Sequence, residues 1–130
     1  MDKTTRRSID AVLADAQARL RRLSAVDALA AVSEGWTLVD TRDGDMIARD
    51  GAIPGALRIP LSVLEWRVDP ASVTHSAEFT GREGRLILIC RDDYSSSLAA
   101  VRLHELGFTE TTDVIGGFGA WLAAGLPVEK

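Results

Sequence analysis

Apolar positions along the chain switch between two rhythms. Between residues 8 and 22, Ile9, Val12, Leu13, Ala16 and Leu20 fall at helical intervals behind Ser8, a suitable N-cap. A second helix is predicted over 25–34, with Ser24 as cap, Asp27 in the first turn and Gly35 at its end. "WTLVD" (36–40) then reads as a short buried strand. The glycine and proline punctuation of 43–56 predicts a loop, with room for a helical turn at 45–48. "LRIP" (57–60) is a second strand stopped by Pro60, and Ser62 and Glu65 have the S-x-x-E spacing of a capping box before a short helix. Residues 69–84 are polar and irregular.

"RLILIC" (85–90) is an almost unbroken apolar run, the pattern of a central parallel strand covered on both faces. Leu98, Val101, Leu103 and Leu106 form a helical stripe over 96–106, closed by Gly107. "TTDVI" (111–115) is a further strand, Gly116-Gly117 a turn, and "FGAWLAAG" (118–125) a last helix. Strands alternating with helices predict an α/β domain with a mostly parallel sheet.

A chain of 130 residues suits one domain with a sizeable core. A net charge of -4 argues against nucleic acid or an anionic membrane as partner. The basic cluster Arg6, Arg7, Arg19, Arg21 and Arg22 reads as helix surface. One cysteine excludes an intramolecular disulfide and a multi-cysteine metal site. His75 and His104 lack metal-ligand spacing, so neither metal nor cofactor is expected. No apolar run approaches the roughly 18 residues a membrane helix needs, and the N-terminus is too polar for a secretory signal. A reducing cytoplasm is therefore the expected location.

Cys90 has two readings. Free cysteines are among the most buried residue types, so it fits a core position. It also stands at the carboxyl end of the most apolar strand, where ligand sites of open α/β sheets lie. The loop of Arg91, Asp92, Asp93, Tyr94 and Ser95 that follows would gather backbone N–H groups into a nest, stabilising a thiolate at a helix N-terminus.

Four segments together resemble the rhodanese-like (sulfurtransferase) family. They are "LVDTR" (38–42), "GAIPGALRIP" (51–60), "LILICRDDYSSSLAAVRLHELGF" (86–108) and "VIGGFGAWLAAGLPV" (114–128), in the family's order. The resemblance implies a three-layer α/β domain over 22–130, with a central parallel sheet between helices, and an added helix in 1–21. It implies that Cys90 accepts a sulfane sulfur from a donor such as thiosulfate, becoming a persulfide. A thiol or cyanide then takes the sulfur, or a protein acceptor does. Arg91, Asp92, Asp93, Tyr94, Ser95 and Ser96 become the substrate-binding loop. Asp40 and Arg42 become structural braces.

The loop departs from the family's cysteine-arginine-x-glycine-x-arginine-serine pattern, with Asp93 for the glycine and Ser95 for the second arginine. Ala52 replaces a histidine usual in the second segment. Losing the glycine removes easy access to a left-handed backbone, although Asp tolerates that conformation better than most residues. Arg58 and Arg67 are candidate rim cations that replace the missing arginine. A low-activity sulfur carrier or protein-binding module is the alternative function. Related phosphatases place arginine six positions after cysteine; here Ser96 stands there, which disfavours phosphoryl transfer. Trp36, Trp66 and Trp121 are expected in the core and His104 at the surface.

Overall fold

The computed structural model describes residues 6–82 and 84–130. Four parallel strands form one sheet in the order β2-β1-β3-β4: β1 (Thr37–Asp40), β2 (Leu57–Arg58), β3 (Leu86–Ile89) and β4 (Thr112–Asp113). The inner strands β1 and β3 pair from Thr37↔Leu86 to Asp40↔Ile89, and every residue of both is buried. Burial on two faces explains why these strands read as continuous runs.

Side-chain alternation divides the core into two layers. Val39, Leu86 and Leu88 meet α4 (Leu64–Val68) and α5 (Ser95–Glu105) on one face, where α1 (Ile9–Ala18) packs on α5. Leu38, Ile87 and Ile89 meet α2 (Ala25–Ser33) and α6 (Gly117–Ala123) on the other. Ser8 and Ser24 cap α1 and α2, accepting from the amides of Ala11 and Asp27.

The structure corrects several expectations. Half of the predicted loop after β1 is a helix, α3 (Gly44–Asp50). Asp43 caps it by accepting from the Met46 amide at 2.8 Å, Gly44 is its first residue, and Gly51 ends it at φ 106°. The Ser62 capping box does not form. Pro60 starts a 3₁₀ turn at Leu61–Val63, so Ser62 is already in helical phase when α4 begins. Within the irregular 69–84 segment, a 3₁₀ turn at Ala77–Phe79 buries Phe79 in the core. Trp121 is core and Trp36 half-buried, but Trp66 is 57% exposed. His104 is half-buried rather than on the surface, its Nε2 2.7 Å from the Thr111 carbonyl. No helix among the described residues is long and apolar enough to cross a membrane.

Candidate active site

β3 ends at Ile89, and Cys90 follows at the carboxyl edge of the sheet. The turn before α6 holds the next residues from behind. The Phe118 amide donates to the Cys90 carbonyl at 2.8 Å, and the Gly119 amide to the Arg91 carbonyl at 3.2 Å. This approach requires glycine at 117, where φ is +58° and a Cβ would lie 1.9 Å from the Asp92 carbonyl oxygen. The glycine pair thus brings the last helix against the loop of the cysteine.

Cys90 is only 5% exposed, yet it borders a cleft of about 410 Å³. Arg91, Asp92, Tyr94 and Ser95 wall one side; Thr41, Arg42, Met46, Leu61 and Ser62 contribute the other. α5 begins without a side-chain cap, and among the described residues no amide from 91 to 96 is bonded to another protein group. Helix starts leave such donors unpaired.

Those amides do not hold the sulfur. Cys90 Sγ instead faces two acceptors, Ser96 Oγ at 3.2 Å and the Asp92 carbonyl at 3.5 Å. An S–H group at this position donates to such acceptors. Ser96 in turn donates its one hydroxyl proton to Asp113 Oδ2 at 2.8 Å. Asp113, in β4, is fully buried. It also accepts from the Ser97 hydroxyl at 2.6 Å and from Arg22 Nε at 2.8 Å. A buried carboxylate is tolerable only with such compensation.

The remaining candidates separate clearly. Asp93 does not adopt a left-handed backbone: among the described residues, only glycines have positive φ. Its carboxylate accepts from the Gly116 amide at 2.7 Å and from Arg22 Nη2 at 2.5 Å, away from the sulfur. Partial burial works to raise the Asp93 carboxyl, but the Gly116 amide and Arg22 outweigh it and hold it below its ordinary value. Burial likewise works against the Arg22 cation, and Asp113 and Asp93 more than offset it, so its pKa is raised. Arg91 is half exposed, 3.5 Å from Asp92 and 3.8 Å from Asp50. Tyr94 is exposed and donates to Asp92 at 3.5 Å.

Asp40 and Arg42 form a buried pair with the shortest contact at 2.7 Å. Arg42 also donates to the Gly51 carbonyl at 2.9 Å and stacks 3.7 Å over the Phe118 ring. These contacts tie β1, α3 and α6 together beneath the cleft. Neither expected rim cation reaches it. Arg58 lines a separate groove beside Glu129 and Lys130, and Arg67 donates to the Thr74 carbonyl at 3.0 Å. β2 ends at the same sheet edge as Cys90, but Leu57 and Ile59 point into one core layer and alternation turns Arg58 to the other face, so among the described residues the cations bordering the cleft are Arg42 and Arg91.

A family model described as "Rhodanese-like domain" matches residues 24–124. The chain belongs to this family. A protein of unknown function from Rhodopseudomonas palustris, described as a possible tyrosine phosphatase, is 34% identical over 99% of both chains, with a TM-score of 0.86. The human single-domain sulfurtransferase TSTD1 is 25% identical, covering 78% of this chain and 95% of its own, with a TM-score of 0.64. Among curated proteins, the maize adenylyltransferase and sulfurtransferase MOCS3-1 is 41% identical over 63 residues, 48% of this chain. The match spans only 13% of that relative's length.

Within the rhodanese-like frame, sequence reasoning missed Gln17, Arg22 and Asp113. Arg22 lies in the basic cluster that reads as helix surface, but its side chain is only 13% exposed. A lone acid in the apolar strand segment "TTDVI" was the available signal, since a charge there needs a partner.

Proposed function

We propose that this rhodanese-like domain is a sulfurtransferase carrying a sulfane sulfur on Cys90. The observation that carries this reading is the location of the sulfur: at the carboxyl end of a central strand, bordering a cleft, beside a loop of unspent amides. The Cys90 thiolate attacks the sulfane sulfur of a donor such as thiosulfate. A new S–S bond forms at Cys90, the donor's S–S bond breaks, and sulfite leaves with the bonding electrons. A thiol or cyanide then attacks the outer sulfur and the Cys90 thiolate returns.

The residues divide the work. When the thiol proton leaves to solvent or donor, Ser96 turns its O–H from Asp113 to the sulfur. Asp113 keeps the Ser97 and Arg22 donors and tolerates the loss. The amides of 91–96 stabilise the persulfide anion. Arg91 and Tyr94 meet the incoming donor at the cleft mouth. The chain contains no second cysteine, so the acceptor is an outside molecule, either a small thiol or a protein. The scheme needs no cofactor, nucleic acid or membrane and suits the reducing cytoplasm. The sulfurtransferase descriptions of the human and maize proteins support this class.

Intact mass tests the reading directly. Thiosulfate should add one sulfur, about 32 Da, as a persulfide that cyanide removes and that Cys90→Ala never forms. An unchanged mass after thiosulfate, glutathione persulfide and polysulfide would defeat it.

Asp93, Ser95 and the balanced charges at the cleft, Arg42 and Arg91 against Asp43 and Asp92, favour a second reading. On it, the domain carries sulfur for, or docks onto, another protein without efficient turnover. Stoichiometric loading without sustained thiocyanate production from cyanide would select that reading. The description of the R. palustris protein raises phosphate-ester hydrolysis. Here Ser96, bound to Asp113, stands where the phosphate-binding arginine would be, and no hydrolysis of p-nitrophenyl phosphate is expected.

A further inference from the structure

The loop after Cys90 carries a carboxylate, Asp93, where its family's pattern has glycine, and residues from the N-terminal segment meet it. Gln17 Nε2, on α1, donates to the Asp93 carbonyl at 2.9 Å and to Ser97 Oγ at 3.2 Å. Arg22, between α1 and α2, donates from Nη2 to Asp93 and from Nε to Asp113. Both residues precede position 24, where the match to the family model begins. The R. palustris protein aligns over 99% of this chain, so its similarity extends into this segment.

We propose that Gln17 and Arg22 are positioning residues for sulfur transfer: Gln17 fixes the loop backbone, and Arg22 bridges Asp93 and Asp113 so that Ser96 stays set against the Cys90 sulfur. This rests on the sulfur-transfer reading above. The geometry is a short chain of contacts. Arg22 Nε lies 2.8 Å from Asp113, Asp113 2.8 Å from Ser96 Oγ, and Ser96 Oγ 3.2 Å from Sγ.

The chemistry of the bridge is particular to arginine. Its two carboxylates come from different elements, one sealed in the core and one on the loop. A guanidinium offers separate donors in a rigid fork and serves both at once; an ammonium is a point charge and serves one well. Without the cation, Asp113 keeps only the two serine hydroxyls, and Asp93 faces an uncompensated carboxylate across the loop. The resulting repulsion pushes the loop outward and carries Ser96 with it. The N-terminal helix thus replaces, from outside the family's common core, some of the order lost with the loop glycine.

The experiment uses the full chain with Gln17→Ala, Arg22→Gln and Arg22→Lys, each checked for native far-UV circular dichroism. Two rates are read: sulfur transfer from thiosulfate to cyanide, and alkylation of Cys90 by iodoacetamide. Arg22→Gln should lower kcat at least tenfold with KM for thiosulfate within about twofold, and Arg22→Lys should recover part of the loss. Gln17→Ala should lower kcat several-fold without unfolding. Alkylation should change several-fold in both Gln17→Ala and Arg22→Gln. That readout holds even if the wild-type protein transfers no sulfur, so the two proposals fail separately. Folded Arg22→Gln and Gln17→Ala with wild-type rates in both assays would overturn the proposal. If Arg22→Gln does not fold, wild-type rates in Gln17→Ala alone overturn it.

Discussion

At Ser96, one hydroxyl proton has two claimants: the buried Asp113 carboxylate at 2.8 Å and, once ionised, the Cys90 sulfur at 3.2 Å. In the resting thiol, Ser96 accepts from sulfur and donates to Asp113. In the thiolate it must donate to sulfur instead. Ser96→Ala removes that choice and leaves Asp113 with Ser97 and Arg22 as donors. A hydrogen bond to a charged group contributes about 1.5–3 kcal/mol. Ser96→Ala should therefore slow persulfide loading of Cys90 roughly tenfold to a hundredfold, measured by time-resolved intact mass. Loading at the wild-type rate would show that Ser96 is only a packing residue. Arg42 behaves differently. Its Nε and Nη2 are spent on Asp40 and Gly51 and its plane on Phe118, so most of it braces the floor of the cleft, while its buried Nη1 has no protein partner.

Among the elements, the start of α5 and the segment between α1 and α2 form one electrostatic unit through Arg22, Asp93 and Asp113. The Gly116 amide and Arg22 outweigh partial burial and hold the Asp93 carboxyl below its usual value. A group depressed in this way stabilises the fold fully above the ordinary carboxylate range, near pH ~4, and loses that contribution as pH falls through its folded value. Asp93 is half exposed, so solvent screening keeps the contribution small. Between about pH 5 and 3, wild-type stability should fall more steeply than that of Asp93→Asn, with the gap shrinking in high salt. Urea denaturation across that range measures it, and parallel curves would contradict the coupling. The element scale also explains the two corrected helix starts. Capping depends on where the preceding turn ends, and Pro60 begins its 3₁₀ turn ahead of Ser62, whereas Asp43 stands free to cap α3.

For the whole molecule, one buried sheet joins two apolar layers, and no residue of β1 or β3 belongs to a single exposed face. Such a sheet leaves neither layer able to unfold alone. Fluorescence of the buried Trp121, read with Trp36 and Trp66 replaced by phenylalanine, reports one layer, and circular dichroism sums the helices of both; the two should share one denaturation midpoint. Two separated midpoints would mean that the layers unfold independently. Much of this architecture was legible in the chain because it is local and periodic. Ser8 and Ser24 announce their helices, the run 86–89 its double burial, and the glycine pair at 116–117 the turn before α6. The location of Cys90 at a strand end was equally legible, since a strand and its exit loop are contiguous. The partners that set the sulfur were not. Gln17 meets a loop 76 residues away and Arg22 a strand 91 residues away, across elements whose sequences carry no mark of one another. Periodicity tells which face of an element is buried. Which charge lies opposite a buried carboxylate follows from packing in three dimensions, and that is where Arg22 ceased to be a surface residue.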